Sequence, residues 1–292
     1  MRVTDSMVWN NQQRAVANRQ TGYARAQQQA LTGKRVNAPS DDPASFAQAR
    51  SETGNIVRAE GYERTINLTR PSLEVADSAL SDIENVMRRV RDIAVQGAND
   101  PLNASDRNTL SQELTALRDE LITLGNSHSG DRFVFGGYKD GAPPYDAAGV
   151  YTGDTEAPRV EISRGVTLPM GVTGDSVFGT PGDDVFTTIT NLQTALASGD
   201  GANISSMITE VDQRFERVRV VHSEIGVHQN AADIAQAVVQ RGGDAAAKNR
   251  SALVDIDAAE SYSNLIRAQS ALSAAIEIAS QLPMPGLASR SR

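Results

Sequence analysis

At 292 residues the chain exceeds one modal domain, so two or three structural parts are expected; hydrophobic residues are 39% but aromatics only 4%, which favours helices packed through Ala, Val, Ile and Leu. Cysteine is absent, which excludes disulfides, thiolate nucleophiles and Cys-based metal sites. The net charge of −8 is uneven: residues 1–50 carry seven Lys or Arg against three Asp, a net +4, leaving −12 on the rest. A basic end on an acidic body points to nucleic acid, a membrane surface or another part of the same assembly.

The basic end has only Trp9, Tyr23 and Phe46 as aromatics, too few to interleave into a nucleic-acid platform. No run of eighteen apolar residues occurs, so no membrane insertion is expected. The opening MRVTDSMVWNNQQR lacks the apolar core and cleavage site of a secretory signal, so export is expected to use another route.

Residues 3–32 read as helix with a thin stripe, Trp9, Val16, Tyr23 and Ala30 recurring every seven residues among Gln and Arg. Such a helix has too little apolar area to hold itself and needs a partner. The next stretch, LTGKRVNAPSDDP, is a stop followed by a start. Gly33 suits a helix end, Pro39 and Pro43 forbid helix just before them, and Asp41 or Asp42 is placed to cap a helix with Pro43 at its first position.

From Pro43 to about Gly97 a heptad seam runs Ile66, Leu73, Ala76, Leu80, Ile83, Met87, Val90, Ala94, with Pro71 expected to kink the helix or divide it. Asn99-Asp100-Pro101 ends it. A second helix is expected from a Ser105 cap along Leu110, Leu114, Leu117, Leu121 and Leu124, closed by Gly125. Between Asp131 and about Val185 the glycine-rich text RFVFGGY, GVYTGD, RVEISRGVTLPM and DSVFG reads as short strands. Phe186 to Ala197 is a short helix stopped by Ser198-Gly199-Asp200-Gly201. The longest seam follows: Ile204, Ile208, Val211, Phe215, Val218, His222, Ile225, Gln229, Ala232, Gln236, Val239. Gly242-Gly243 is expected to break or bend that helix. A last seam, Ala258, Tyr262, Leu265, Gln269, Leu272, Ile276 and Ala279, ends before Pro283 and Pro285, and supplies the apolar partner that the first helix lacks.

Chemistry has no positive signal. His128, His222 and His228 have no metal-ligand spacing, and His222 sits on a seam as a packed or surface histidine would. No phosphate-cradling glycine motif occurs. Asp41-Asp42 and Asp255-x-Asp257 stand before helical runs, where carboxylates stabilise the N-terminus. No catalytic, metal or cofactor-binding residue is assigned, and no cofactor is expected.

Taken together, MRVTDSM, LTGKRVNAPSDDP, SDRNTLSQELTALRDELITLGN, GDRFVFGGYKDGAPPY with YTGDT, and IDAAESYSNLIRAQSALSAAIEIASQL make the chain similar to the bacterial flagellin family. The resemblance covers nearly the full length. It implies a mainly α fold: an elongated helical bundle with terminal coiled-coil helices and a small inserted β domain. The corresponding parts are 1–40, the N-terminal helix and hinge; 41–130, the first part of the bundle; 131–185, the outer β-rich insert; 186–242, the second part of the bundle; and 243–292, the C-terminal helix and tail. Trp9, Val16 and Tyr23 would face Tyr262, Leu265, Leu272 and Ile276 in an inner coiled coil. Gly33, Lys34, Arg35, Pro39, Asp41, Asp42 and Pro43 would form an assembly hinge, with Lys34 and Arg35 either pairing with acidic groups of a neighbouring subunit or lying solvated beside capping aspartates.

The same resemblance implies a structural, extracellular subunit joining hook to filament, or else a flagellin of the filament itself. Its implied partners are further copies in a helical tube, a neighbouring hook-associated protein, flagellin, and an export chaperone before assembly. Export would pass through the flagellar type III apparatus without cleavage. The closing LPMPGLASRSR departs from the apolar helical tail usual in the family.

Overall fold

The structure, a computed structural model, describes residues 5–99 and 103–281. The first residues of MRVTDSM, the stop at Asp100-Pro101, the stop at Pro283 and Pro285, and most of LPMPGLASRSR lie outside the described residues. The described chain is mainly helical: α1 Asp5–Thr32, α2 Pro43–Asn99, α3 Ala104–Gly125, α4 Gly174–Phe178, α5 Val185–Ser198, α6 Gly201–Val254 and α7 Ala258–Gln281. Four short strands stand between α3 and α4: β1 His128–Ser129, β2 Arg132–Phe133, β3 Arg159–Ser163 and β4 Val166–Pro169. The chain divides into two compact units, one made of residues up to Val57 with those from Gly242 on, the other of Arg58–Arg241.

In the Arg58–Arg241 unit the heptad text becomes a core. Ile66, Leu73, Ala76, Leu80, Ile83, Met87, Val90 and Ala94 of α2 are all buried, as are Ile204, Val211, Val218, Ile225, Ala232 and Val239 of α6. The two helices run antiparallel, with Arg91 to Asp212 at 2.6 Å near one end and Arg70 to Asp233 at 2.7 Å near the other. His222 stands between Glu84 at 2.7 Å and Asp77 at 3.2 Å, so this seam position is a polar tie from α6 to α2. Gln229 donates to the Leu73 carbonyl at 3.4 Å. Helix α3 adds Leu110, Leu114 and Leu121 to the core, and Gln193 of α5 reaches the Ser111 carbonyl and the Thr115 hydroxyl.

Four local expectations are corrected. Pro71 lies inside α2 without dividing it. Proline costs its own donor bond, to the carbonyl of Asn67, but Pro71 and Asn67 are both exposed, so water can take that carbonyl while buried Ile66, Thr69 and Leu73 hold the helix on both sides. The cap of α3 is Asn103, not Ser105: its side chain accepts the Asp106 amide at 2.9 Å. Gly125 does not terminate α3 by a positive φ; it is the last helical residue, buried where a Cβ would stand 2.9 Å from Tyr145 Cδ2. And α6 continues through Gly242-Gly243 to Val254.

The insert is less stranded than its text promised. β1 pairs with β2, and β3 with β4, both antiparallel, while GVYTGD contributes only a bridge from Tyr151 to Tyr145. DSVF of DSVFG is helical, in α4, opened by Thr173 whose carbonyl accepts the Ser176 hydroxyl at 2.7 Å, and Gly179 follows as its cap. Its aromatics explain this: Phe178 packs edge-on to Tyr145 at 5.1 Å and stacks on Phe186 at 5.2 Å, so burial of one ring outweighs strand alternation. Phe135, Tyr145 and Phe178 join the same buried cluster as α3 and α5, so insert and bundle share one core. The loop from Gly179 to Asp184 is tied to α6 by Asp183, which bonds Arg214 and, at 2.8 Å, Arg217.

Candidate assembly joint and terminal helices

The unit formed by both ends of the chain pairs α1 with α7. On α1, Trp9, Val16, Tyr23 and Ala30 are half-buried and Ala26 is buried, matching the thin stripe read from the sequence. On α7 the covered side is Ser261, Leu265, Ala268, Leu272, Ala275 and Ala279. It is small-residue packing, shifted by one residue from the expected seam at half its positions. Leu265 and Leu272 are half-buried, but Tyr262 is 60% exposed and Ile276 53%. Ile266 and Ile278 are also exposed, at 63% and 56%. Ser261, Ala268 and Ala275 take the covered places expected of Tyr262, Gln269 and Ile276, while Leu265 and Leu272 keep theirs.

At the far end of α1, Gly33 takes φ +67 and its amide returns to the Gln29 carbonyl at 2.9 Å, a left-handed helix end. The chain then runs beside the α6–α7 corner. Lys34 bridges Asp255; the amides of Arg35 and Val36 donate to the Val254 carbonyl at 2.7 and 3.3 Å; the Ile256 amide donates back to Gly33 at 3.1 Å. The Arg35 guanidinium donates to the Leu253 carbonyl at 2.7 Å and meets Asp42 and the Ser45 hydroxyl at 3.4 Å. Gln29 donates to the Arg35 carbonyl at 2.9 Å. Val36, Ala49 and Val254 form a small buried cluster against Phe46 and Leu253.

Both aspartates serve the local backbone. Asp42 accepts the Ser45 amide at 3.0 Å and Pro43 opens α2, the expected cap and first position. Asp41 accepts the Asn37 and Ala38 amides, each at 3.0 Å, and meets Arg25 at 3.5 Å. These amide bonds, reinforced by Arg25, hold the Asp41 carboxyl below its ordinary range; Ser45, then Arg35, does the same for Asp42. Asp257 caps α7, accepting the Ala259 amide at 2.8 Å and that of Glu260 at 3.2 Å.

So Gly33, Lys34, Arg35, Asp41, Asp42 and Pro43, the residues expected to form a hinge, lie in one loop, with Pro39 exposed at its tip. Sequence reasoning missed their partners Arg25, Gln29, Leu253, Val254 and Asp255. The Asp255-x-Asp257 pair was the available signal, yet it announced only a cap. Elsewhere a cavity of about 270 Å³ lies among Arg118, Tyr145, Gly149, Asp184 and Phe186, but Asp184 spends its carboxylate on the Thr187 and Gly182 amides and Arg118 on the Ala148 carbonyl. Burial pushes Tyr151 on its wall up to about 12. Among the described residues no cluster of three His, Asp or Glu could hold a metal, and no helix is long and apolar enough to cross a membrane.

The sequence profile of the bacterial flagellin N-terminal helical region matches residues 3–139, which contain α1, the joint loop, α2 and α3. Over that stretch the chain is similar to bacterial flagellins. Among curated relatives, flagellar hook-associated protein 3 of Salmonella typhimurium is 29% identical over 180 residues, 61% of this chain and 57% of that protein's own length. Polar flagellin F of Vibrio parahaemolyticus is 31% identical over 108 residues, 37% of this chain and 27% of the relative. The solved flagellar junction protein of Legionella pneumophila has the same fold, with a TM-score of 0.60 at 17% identity, covering 71% of this chain and all of the other. The LTGKRVNAPSDDP text therefore lies inside the stretch that matches the flagellin N-terminal helical region.

Proposed function

We propose that the chain is a structural subunit of the bacterial flagellum that joins the hook to the filament, assembling through its terminal helices after export. The observation that carries this reading is the α1–α7 pair, which leaves Tyr262, Ile266, Ile276 and Ile278 exposed. Large apolar side chains left exposed on a terminal helix call for burial against further copies of the same helix. The longer match to hook-associated protein 3 than to polar flagellin F favours the junction over the filament.

In this reading Trp9, Val16, Tyr23, Leu265 and Leu272 hold the pair within a subunit, Tyr262 and Ile276 meet neighbouring subunits, and Gly33 to Pro43 with Leu253 to Asp257 form the joint inside the terminal unit. Copies form a helical tube between a hook-associated protein on one side and flagellin on the other. Before assembly the chain travels unfolded through the flagellar type III apparatus with its C-terminal helix on an export chaperone, to an extracellular position. Ordering of the arms is offset by burial between subunits.

Deleting the gene tests the place in the tube. Hooks without filaments, with flagellin lost to the medium, support the junction role. An intact filament lacking one subunit type makes the chain a filament flagellin instead.

A further inference from the structure

We propose that the joint is a single latch: the loop after α1 and the corner between α6 and α7 open together, so both terminal helices are released as a pair. Two helices end here, and each end leaves carbonyls without an intrahelical donor. The end of α6 is completed by the loop after α1: Val254 receives the Arg35 and Val36 amides and Leu253 the Arg35 guanidinium, while in return the carbonyl of Gly33, one residue past α1, receives the Ile256 amide. The guanidinium also stands at the negative end of the α6 dipole. Bonds thus cross in both directions over four residues of each strand. Neither strand can leave without orphaning polar groups of the other, and Val36 and Val254 would lose the same small apolar cluster. A contact set that is satisfied only as a whole opens as one cooperative unit.

The latch belongs to the chain alone and holds whether the subunit sits at the junction or in the filament. Hydrogen exchange on the full chain in its assembled state tests it at the Arg35, Val36 and Ile256 amides, with α2 amides from Leu80 to Val90 as the folding control. The parent chain should show equal protection at all three. Arg35→Met removes the guanidinium but no backbone donor, and should lower protection at Ile256 as well as at Val36, by about tenfold. Asp257→Ala acts from the other strand, by uncapping α7, and should lower protection at Arg35 and Val36 together with Ile256. Protection that is absent in the parent, unchanged in both variants, or lost on one strand only overturns the latch.

Discussion

Gly125 and Gly226 both sit within helices and neither has a positive φ, yet a methyl group added at each meets opposite surroundings. At Gly125 it would stand 2.9 Å from Tyr145 and 3.3 Å from Phe178; at Gly226 it meets nothing within 4 Å. Replacing glycine by alanine in a helix gains roughly 0.5–1 kcal/mol, whereas overpacking a core costs about 1–3 kcal/mol. Gly125→Ala should therefore lower the urea midpoint of unfolding and Gly226→Ala should raise it; a rise at Gly125 would mean that the seat of Tyr145 is loose. Asp41 and Asp42 give a pH prediction. Their carboxyls titrate below the ordinary 3.8 when folded, so the unfolded chain binds more protons in that range. Their stabilisation is fully present above the unfolded value and is lost as pH falls through the folded ones. Carboxyl carbon NMR titration should find both midpoints below 3.8, returning toward it for Asp42 in Ser45→Ala.

Helices α2 and α6 illustrate how elements override their punctuation. Pro71 and Gly242-Gly243 were legible as breaks, and each is a real local cost, but a long helix with bonds intact on either side absorbs it. A Cβ added at Gly242 would meet nothing within 4 Å. The true end of α6 comes at Asp255-Ile256-Asp257, where a neighbouring strand offers better partners than another helical turn. The loop before α5 is held differently. Arg214 is buried, and Asp183 is its charged partner. Asp183→Ala should lower the urea midpoint of the Arg58–Arg241 unit, since it leaves the buried Arg214 guanidinium half-satisfied, and equilibrium urea unfolding measures this. A change near zero would mean that water replaces the carboxylate without loss.

At the scale of the whole molecule, the chain leaves Tyr262, Ile266, Ile276 and Ile278 exposed on α7. Ile266→Asp should abolish assembly into tubes, seen by sedimentation and electron microscopy, with the circular dichroism of the monomer unchanged. Assembly at parental levels would remove this face from the contact. Lys34 and Arg35 separate likewise. Arg35 is committed to Leu253 and Asp42 within its own chain, whereas Lys34 is exposed. Lys34→Glu alone is therefore the test of charge pairing between subunits, and unaffected motility would assign Lys34 to solvent.

What the sequence by itself determined is the mainly helical class, the α2 and α6 seams, the cap at Asp42, the end at Gly33, and the pairing of a weak first helix with a strong last one. All of these rest on periodicity or on residues within a turn of each other, which local sterics and burial dictate. Tertiary structure alone decided the rest: that DSVF is helical, that Gly125 serves Tyr145, which side of α7 is covered, and that the joint's second strand is Leu253 to Asp257. Each depends on a partner far along the chain, where packing and donor supply, not local preference, set the lowest free energy. LTGKRVNAPSDDP therefore showed where the helix stops and starts, but not that Arg35 reaches across some two hundred residues of sequence to complete the end of α6.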